Sequence, residues 1–435
     1  MIGRARSNSP RVALILMTLI YAFNFMDRQV LSVLAEPIKR DLNLTDTELG
    51  MLGGIMFAIF YSTFGIPVAA LADRYKRVPI LVTACSIWSV CCAACGLAMN
   101  FTHLALARIG VGLGEAGGVP PSYSLISDMF PAERRARAVG FFSLGVPLGL
   151  GVGSALAGWT SAILGWRVSL FIVGLPGLLL ALAFFLMVKE PERGRYDKLK
   201  LVERPRLWTT IKSFYGDPKI ALPTFFCAIG AIANGAVMAW LSAYLIRVMG
   251  MRLDQIGTYL SITIIIGMGL GNLTSGWLVD RFSTRDKRTY VFVPAAAMAL
   301  SLPFFLAGLQ AQHWQLALPL FGISLAISCA YLAPAVTLVQ NSLPSTQRST
   351  GGALLLFVVN LIGMGGGPVY VGIISDWATP TYGVDALRIA MYALAPFFML
   401  ATIGNLISAR FIGREGSSPV RSPKPPTSFM KMPAE

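Results

Sequence analysis

Charged residues are scarce in this chain. They make up 13% of its 435 positions, against about 25% in soluble globular domains, and hydrophobic residues make up 55%. Such a composition cannot supply a surface that water covers. Apolar runs about 20 residues long recur along nearly the whole sequence, and each can cross a hydrocarbon layer about 30 Å thick as a helix. We therefore predict an all-α membrane protein that crosses the bilayer many times.

Cysteine and histidine are also scarce, with six and two residues. All six Cys lie inside apolar stretches, and Cys92 and Cys95 form a CxxC that has neither a second pair nor a nearby His. We interpret them as core packing and expect no metal site. The sequence also lacks a nucleophile, base and orienting group, and a Gly-rich loop ending in Lys-Ser or Lys-Thr. We therefore expect no enzymatic activity, no cofactor and no ATP drive.

The net charge of +15 comes from short Lys and Arg clusters between the apolar stretches, not from one basic domain, which argues against nucleic acid as a partner. Turns and charges divide the apolar sequence into twelve predicted spans, near 12–36, 48–72, 79–99, 102–127, 136–162, 167–188, 219–248, 255–279, 289–309, 314–340, 350–374 and 386–411. Of the 36 Lys and Arg, 28 fall on the side that holds both termini. The positive-inside rule then predicts an inner-membrane protein with cytoplasmic termini.

Residues 189–218 form the one long polar interruption, at the midpoint of the chain. The predicted organisation is a cytoplasmic N-terminus (1–11), an N-terminal six-helix bundle (12–188), a linker (189–218), a C-terminal six-helix bundle (219–412) and a disordered cytoplasmic tail (413–435). Within the linker, Leu207, Trp208, Ile211, Phe214 and Tyr215 follow helical spacing, which favours a short helix on the membrane surface. A disordered linker is the alternative.

The two halves resemble each other. Asp73-Arg74 after the second span is repeated as Asp280-Arg281 after the eighth, at an offset of 207. Parallel repeats about a central linker are a transporter architecture in which the substrate site lies between the halves, near mid-membrane.

Four motifs carry a family resemblance: Asp73-Arg74-x-x-Arg77 with its copy at Asp280-Arg281, Arg108 to Gly114, Gly145-Val146-Pro147-Leu148-Gly149, and Gly165-Trp166-Arg167. Together they resemble the signatures of the major facilitator superfamily along the whole chain. The resemblance implies the major facilitator fold, with twelve transmembrane helices in two pseudo-symmetric six-helix bundles.

Within that superfamily, three further segments resemble the spinster group: Asn24 to Arg28, Val111 to Ala116, and Ser127 to Phe130. The eukaryotic members of that group transport sphingolipids and lysophospholipids. Organic-anion carriers of the superfamily share the Asp-Arg pair of the first span and the Glu-Ala of the fourth, so they remain an alternative.

Asp27, Arg28, Arg108 and Glu115 lie inside predicted spans, where ionisable groups usually face a bundle interior or a water path. Depth estimates at about 1.5 Å per residue permit an Asp27–Arg108 pair and place Glu115 deeper on the same helix face as Arg108. Static ion pairs between two helices would be the structural explanation. The second half keeps none of these charges, however, so we predict Glu115 and Asp27 as proton-coupling residues.

Arg28 and Arg108 are the predicted contacts for the charged head of a substrate. In the second half, the predicted substrate-binding residues are Asn234, Phe321, Ser328 and Tyr331, where an apolar wall suits an acyl chain. We also predict a conformational latch on the cytoplasmic side that favours an outward-open state. Its residues are Asp73, Arg74, Arg77, Asp128, Arg134, Arg135, Arg137, Asp280 and Arg281.

The sequence therefore predicts a monomeric secondary-active transporter that works by alternating access and is surrounded by membrane lipids. Protons and an amphiphilic, lipid-like substrate are the expected partners. An organic-anion symporter and a drug–proton antiporter are the alternatives.

Overall fold

The computed structural model describes residues 9–196, 207–283, 285–344 and 347–412. Three predicted segments lie wholly or partly outside this part of the chain: residues 1–8 of the N-terminus, residues 197–206 of the linker and the tail from residue 413.

Twelve membrane-crossing helices, numbered α1 to α12, run through the described residues. The first half holds α1 (Pro10–Val33, continued by Ala35–Leu42), α2 (Asp46–Gly53 and Ile55–Arg74), α3 (Arg77–Cys95), α4 (Phe101–Glu115 and Val119–Met129), α5 (Ala132–Ser143 and the first part of Gly145–Met187) and α6 (the rest of Gly145–Met187 after Gly165). The second half holds α7 (Pro218–Arg247), α8 (Leu253–Gln255, Ile256–Leu260 and Ser261–Phe282), α9 (Thr289–Gln310), α10 (Trp314–Ser328, Cys329–Tyr331 and Leu332–Ser342), α11 (Arg348–Val358, Val359–Gly366 and Gly367–Tyr382) and α12 (Ala386–Tyr392 and Ala395–Ser408).

By length and composition, nine helical stretches of the described chain are apolar enough to cross a membrane. Two of them, of 55 and 59 residues, each contain two crossings. The turns lie at Gly165 and Gly383, whose φ angles of 83° and 53° are conformations that favour glycine. With these two turns and α4, the count reaches the twelve spans predicted from the sequence.

Several helices begin at side-chain caps. Asn100 accepts a hydrogen bond from the His103 amide (2.9 Å) at the start of α4, and Asp217 accepts one from the Lys219 amide (2.9 Å) at the start of α7. Such caps satisfy amide groups that have no partner within the helix. At α2, Thr45 and Glu48 form a capping box.

Glycines at four-residue spacing allow neighbouring helices to approach closely. A Cβ atom on Gly145 or Gly153 would lie about 3 Å from the backbone of α1, and Gly149 is still closer to Ala22. Gly114 of α4 likewise lies against the backbone of Trp88 in α3. The spacing therefore fixes α5 against α1 and α4 against α3.

The two halves meet at one end of the molecule. We call the side that holds residues 9 and 412 the terminal side and the opposite side the distal side. Every hydrogen bond between the halves that is found among the described residues lies in the distal half of the bundle, for example Ser32 to the Met238 carbonyl (2.9 Å) and Trp159 to Thr258 (3.0 Å). The molecule is therefore closed on the distal side.

The linker contains a helix, Leu207–Gly216. Phe214 is fully buried in a cluster with Ile220 of α7 and Leu355 of α11, whereas Trp208 is 74% exposed. This two-sided distribution fits the predicted amphipathic helix. Its location on the membrane surface stays a prediction.

Candidate functional site

The four predicted membrane-embedded charges lie close together in the first half. Asp27, Arg108 and Glu115 are at most 3% exposed, and Arg28 is slightly more open. Arg28 Nε lies 2.7 Å from Glu115 Oε2 and joins α1 to α4 as an ion pair. The expected Asp27–Arg108 pair is not among the ion pairs of the described chain. Arg108 Nε instead donates a long hydrogen bond to the Leu52 carbonyl (3.4 Å).

Aromatic rings surround the Arg28 guanidinium group. Its central carbon lies 4.8 Å from the ring centre of Phe25, 4.6 Å from that of Phe57 and 4.7 Å from that of Tyr61. A guanidinium group over such rings gains cation–π attraction, which is strongest away from water. Phe57 and Tyr61 were not predicted from the sequence, although their four-residue spacing places both on one face of α2.

Polar atoms remain unpaired beside this ion pair. Among the described residues, Glu115 Oε1, Asp27 Oδ1 and Asn24 Nδ2 are buried and have no hydrogen-bond partner. Buried polar groups nearly always find partners, so three such atoms around one ion pair mark a place where a proton or a ligand can bind.

In the second half, Asn234 of α7 donates a hydrogen bond to Ser328 of α10 through Nδ2 (2.9 Å). Tyr331, also on α10, is half-buried, and its carbonyl contacts the thiol of Cys227, about two turns of α7 from Asn234. The structure thus brings Asn234 and Ser328 together, and a role of these residues in substrate binding stays a prediction.

Phe321 requires a correction. Its ring is 1% exposed and packs against Tyr244 and Phe305, toward the distal end of the second half. It is part of the core between α7, α9 and α10 and does not join Asn234 and Ser328. Phe321 and Ser328 are seven residues apart and so lie on the same face of α10, about two turns from each other, and at the depth of Phe321 rings of α7 and α9 enclose its side chain.

A set of buried charges on the distal side was missed by the sequence analysis. Arg247 of α7 binds Glu36 of α1 (Nε to Oε1, 2.8 Å) and Asp46 of α2 through both terminal nitrogens. Asp46, which is fully buried, also accepts hydrogen bonds from Lys39 and from Ser375 of α11. We call Glu36, Lys39, Asp46 and Arg247 the distal clamp, because they tie the first half to the second.

Asp376 of α11 adds a second tie at the same place. Its carboxylate accepts hydrogen bonds from the amides of Asp46 (2.9 Å) and Thr47 (2.7 Å) and from the Thr47 hydroxyl (2.6 Å). These amides form the first turn of α2, where a carboxylate is favoured by unpaired amides and by the helix dipole. Asp376 thus caps a helix of the opposite half.

The predicted latch residues lie on the terminal side, and the side-chain contacts described for Arg77, Asp128 and Arg135 are with residues of the first half. Arg77 is 1% exposed and binds Asp128 and Glu190, while Arg135 donates to the Ser127 carbonyl (2.8 Å). Arg193 donates to the backbone carbonyl of Asp73. The side chains of Arg74, Arg134, Arg137 and Arg281 are exposed, and that of Asp280 lies outside what the structure describes.

The Arg77–Asp128 pair joins the start of α3 to the end of α4, both in the first half. Its role as a latch between states remains a prediction.

Comparison with known proteins identifies the family. The model of the Major Facilitator Superfamily matches residues 17–368. An MFS-type efflux pump of Mycolicibacterium smegmatis is 30% identical over 400 residues, which cover 91% of this chain and 92% of the relative. Protein spinster homolog 1 of Xenopus laevis is 28% identical over 432 residues, which cover 93% of this chain and 81% of the relative.

The fold agrees with these matches. A crystal structure of a bacterial homolog of the human lysosomal transporter Spinster, in an inward-facing and unoccupied conformation, superposes with a TM-score of 0.81 at 28% identity, covering 93% of this chain and 97% of that one. The predicted twelve-helix fold and the spinster resemblance are confirmed, and the protein is a transporter and not an enzyme. The chain is homologous to spinster proteins and belongs to the Major Facilitator Superfamily.

Proposed function

We propose that this protein is a proton-coupled secondary-active transporter of an amphiphilic substrate with an anionic head, of the lysophospholipid or sphingoid type. It works by alternating access between its two six-helix bundles, as a monomer in the inner membrane with both termini in the cytoplasm. The excess of Lys and Arg on the terminal side supports this orientation.

The observation that carries the proposal is the Arg28–Glu115 ion pair. Glu115 is fully buried, and its second oxygen has no hydrogen-bond partner among the described residues. A proton on Glu115 removes the charge that neutralises Arg28. The guanidinium group then becomes the cation that an anionic head needs, because Arg forms directed, forked hydrogen bonds with carboxylates and phosphates. Proton binding and head binding are thereby coupled at one pair.

Asp27 is the second proton-coupling candidate. It lies one residue before Arg28, is 2% exposed and has an unpaired oxygen. Arg108 is the second candidate for head binding, since its side chain is buried and is not in an ion pair within the described chain.

The second half supports an amphiphile over a small, strongly charged solute. Asp, Glu, Lys and Arg occur only near the ends of its six helices, and near mid-depth the Asn234–Ser328 pair is a small polar patch. A hydrophilic dicarboxylate gains little from such a surface, whereas an acyl chain gains about 0.8 kcal/mol for each methylene moved out of water. The gain is smaller for a chain that comes from the bilayer. The resemblance to the spinster group, whose eukaryotic members transport sphingolipids and lysophospholipids, supports the same substrate class.

The test is transport by purified protein in proteoliposomes with an imposed pH gradient. A fluorescent single-chain phospholipid is the probe, with unlabelled lysophospholipid, a sphingoid phosphate and a small sugar acid as competitors. We expect strong competition by the first two and weak competition by the sugar acid. The reverse ranking would assign the protein to the organic-anion symporters. Probe flux that ignores the pH gradient would overturn proton coupling.

Drug–proton antiport is the second candidate, because the efflux pump of M. smegmatis is 30% identical to this chain. A cationic drug would need a free carboxylate, and because Arg28 occupies Glu115, this role would fall to Asp27, whose Oδ1 has no partner among the described residues. This candidate would be favoured if the protein extruded a lipophilic cation and lysophospholipid did not compete with that transport.

A further inference from the structure

A cavity of about 600 Å³ opens on the lipid-facing surface of the second half, near its terminal side. Leu278 and Phe282 of α8 form one wall, Phe292, Ala296 and Leu300 of α9 form the other, and α10 forms the floor. This volume lies within the roughly 300–1,000 Å³ that is usual for small-molecule sites.

The cavity is separate from the site between the halves. Its floor residues Ala326 and Ala330 each lie two positions from Ser328, and so roughly 200° around the helix from the side chain that bonds Asn234. Gly271 of α8 packs against the backbone of Ala326 and closes the space between α8 and α10. A molecule in this cavity therefore contacts the outside of the bundle.

The polarity of the lining residues determines which molecules the cavity can hold. Ten of its fourteen lining residues are apolar. Of the other four, Thr274 already donates its hydroxyl to the Leu270 carbonyl (2.8 Å). A stable water molecule needs two to four polar partners, and an empty space would forfeit dispersion contacts along its walls. Hydrocarbon is the filling that satisfies both conditions.

The polar residues lie at one end, in the segment that joins α8 to α9. Arg285, Asp286 and Thr289 line this mouth. Asp286 accepts a hydrogen bond from the Arg288 amide (2.8 Å), whereas the exposed Arg285 side chain has neither a hydrogen bond nor an ion pair among the described residues. From 280 to 288 the sequence has four basic residues against two acidic ones. The mouth is thus complementary to a negative headgroup at the membrane surface.

We propose that the cavity binds one acyl chain of an anionic phospholipid from the surrounding leaflet, with Arg285 contacting the headgroup phosphate. The chain lies between α8 and α9 on the floor of α10. This inference is independent of the transported substrate, because the bound lipid comes from the annulus and stays outside the bundle.

The test uses the full-length protein in nanodiscs of phosphatidylcholine with a small fraction of phosphatidylglycerol that carries a diazirine in one acyl chain. After irradiation, labelled peptides are mapped by mass spectrometry. We expect labelling to concentrate on α9 around Ala296. Ala296→Phe fills the cavity from an exposed position and should remove this labelling, whereas Ala299→Phe, which is exposed on the same helix outside the cavity, should leave it unchanged.

The contact between Arg285 and the lipid headgroup is tested with a separate variant and a matched control. Arg285→Gln should lower labelling by the phosphatidylglycerol probe about fivefold, the factor that corresponds to about 1 kcal/mol for one basic residue at a membrane surface. Lys287→Gln removes the same charge from the same loop outside the cavity lining, and should have a smaller effect.

Three results would overturn the proposal. They are labelling of α9 no stronger than that of other lipid-facing helices, labelling that persists in Ala296→Phe, and equal labelling by phosphatidylcholine and phosphatidylglycerol probes. An equal loss in Arg285→Gln and Lys287→Gln would overturn the assignment of the headgroup to Arg285.

Discussion

Arg247 in the second half and Asp46 in the first form a forked ion pair, with Nη1 to Oδ2 at 2.6 Å and Nη2 to Oδ1 at 2.8 Å. The two residues are 201 positions apart in the chain and join α7 to α2 at the distal end. Asp46 is fully buried and Arg247 is mostly buried. In a distal-open state both groups would reach water, so the pair stabilises the distal-closed state selectively.

We predict that Asp46→Asn shifts the population toward the distal-open state. The substitution leaves Arg247 with Glu36 alone, and breaking a buried pair from one side costs about 3–5 kcal/mol. A cost of that size, felt in one state only, moves a two-state equilibrium about a hundredfold or more. The measurement is a pulsed EPR distance between labels at Met99 and Gln312, both exposed on distal loops of opposite halves, without the native cysteines.

Asp41→Asn is the matched control for this prediction. Asp41 also lies on the distal side and binds an arginine, Arg167, but both residues belong to the first half and both are partly exposed. Its loss should leave the label distance unchanged. If Asp46→Asn keeps the wild-type distance, the clamp does not set the state.

A separate prediction concerns the cap that Asp376 provides. Asp376→Ala removes the acceptors of two amides and one hydroxyl at the start of α2. Loss of an N-terminal cap costs about 1 kcal/mol, so we expect a weaker shift toward the distal-open state than for Asp46→Asn. Asp376→Asn keeps one oxygen acceptor and should lie between Ala and wild type. An Asp376→Ala effect larger than that of Asp46→Asn would contradict this ranking.

The next prediction concerns proton coupling at Glu115. The substitution Glu115→Gln imitates the protonated carboxyl group. The variant should still transport the probe, but the rate should no longer respond to pH, because the proton that frees Arg28 has been replaced permanently. The measurement is proteoliposome flux across a range of pH values. Glu133→Gln, an exposed glutamate on the terminal side, is the control and should keep the wild-type profile. A normal pH profile in Glu115→Gln would transfer the coupling role to Asp27.

The sequence predicted the twelve spans because hydropathy and charge are local properties. It also predicted that Asp27, Arg28, Arg108 and Glu115 lie together, since depth along a helix follows from counting residues. It did not predict which of them pair. Depth estimates ignore helix rotation and side-chain reach, and it is Arg28, about 100° around α1 from Asp27, that meets Glu115.

The contacts of the distal clamp could not be predicted from the sequence, for a different reason. Arg247 lies at the end of the predicted span 219–248, where a basic residue is common, and its partners Glu36 and Asp46 lie 211 and 201 positions away. No periodic pattern links such residues. Phe321 lies on the same face of α10 as Ser328 but about two turns away, and the sequence does not show that Tyr244 and Phe305 enclose its ring there.

On the terminal side, the Arg77–Asp128 pair permits a prediction that distinguishes an effect on thermal stability from an effect on the conformational state. Arg77 is almost fully buried and also binds Glu190 and Ser124. Asp128→Asn should therefore lower the thermal unfolding temperature, because it weakens the contact that joins α3 to α4. Arg137→Gln changes an exposed charge in the same predicted latch and should leave the unfolding temperature unchanged. Altered EPR distances across the terminal ends in Asp128→Asn would support the latch, and unchanged distances would limit the pair to a structural role.

The last prediction concerns the aromatic surroundings of Arg28. Arg28→Lys keeps the positive charge but replaces a planar, forked group by a compact ammonium, which stacks less well on Phe25, Phe57 and Tyr61 and cannot bind a phosphate through two parallel hydrogen bonds. We expect the variant to retain the ion pair with Glu115, and hence its fold, but to lose most binding of a single-chain phospholipid. Tyr61→Phe keeps the ring and should preserve binding, whereas Tyr61→Leu should weaken it by about 1 kcal/mol, the size of one cation–π contact. Binding is measured by competition with the fluorescent lysophospholipid in detergent. If Arg28→Lys binds the probe as well as wild type, charge alone suffices, and the proposed directed contact between Arg28 and the substrate head is wrong.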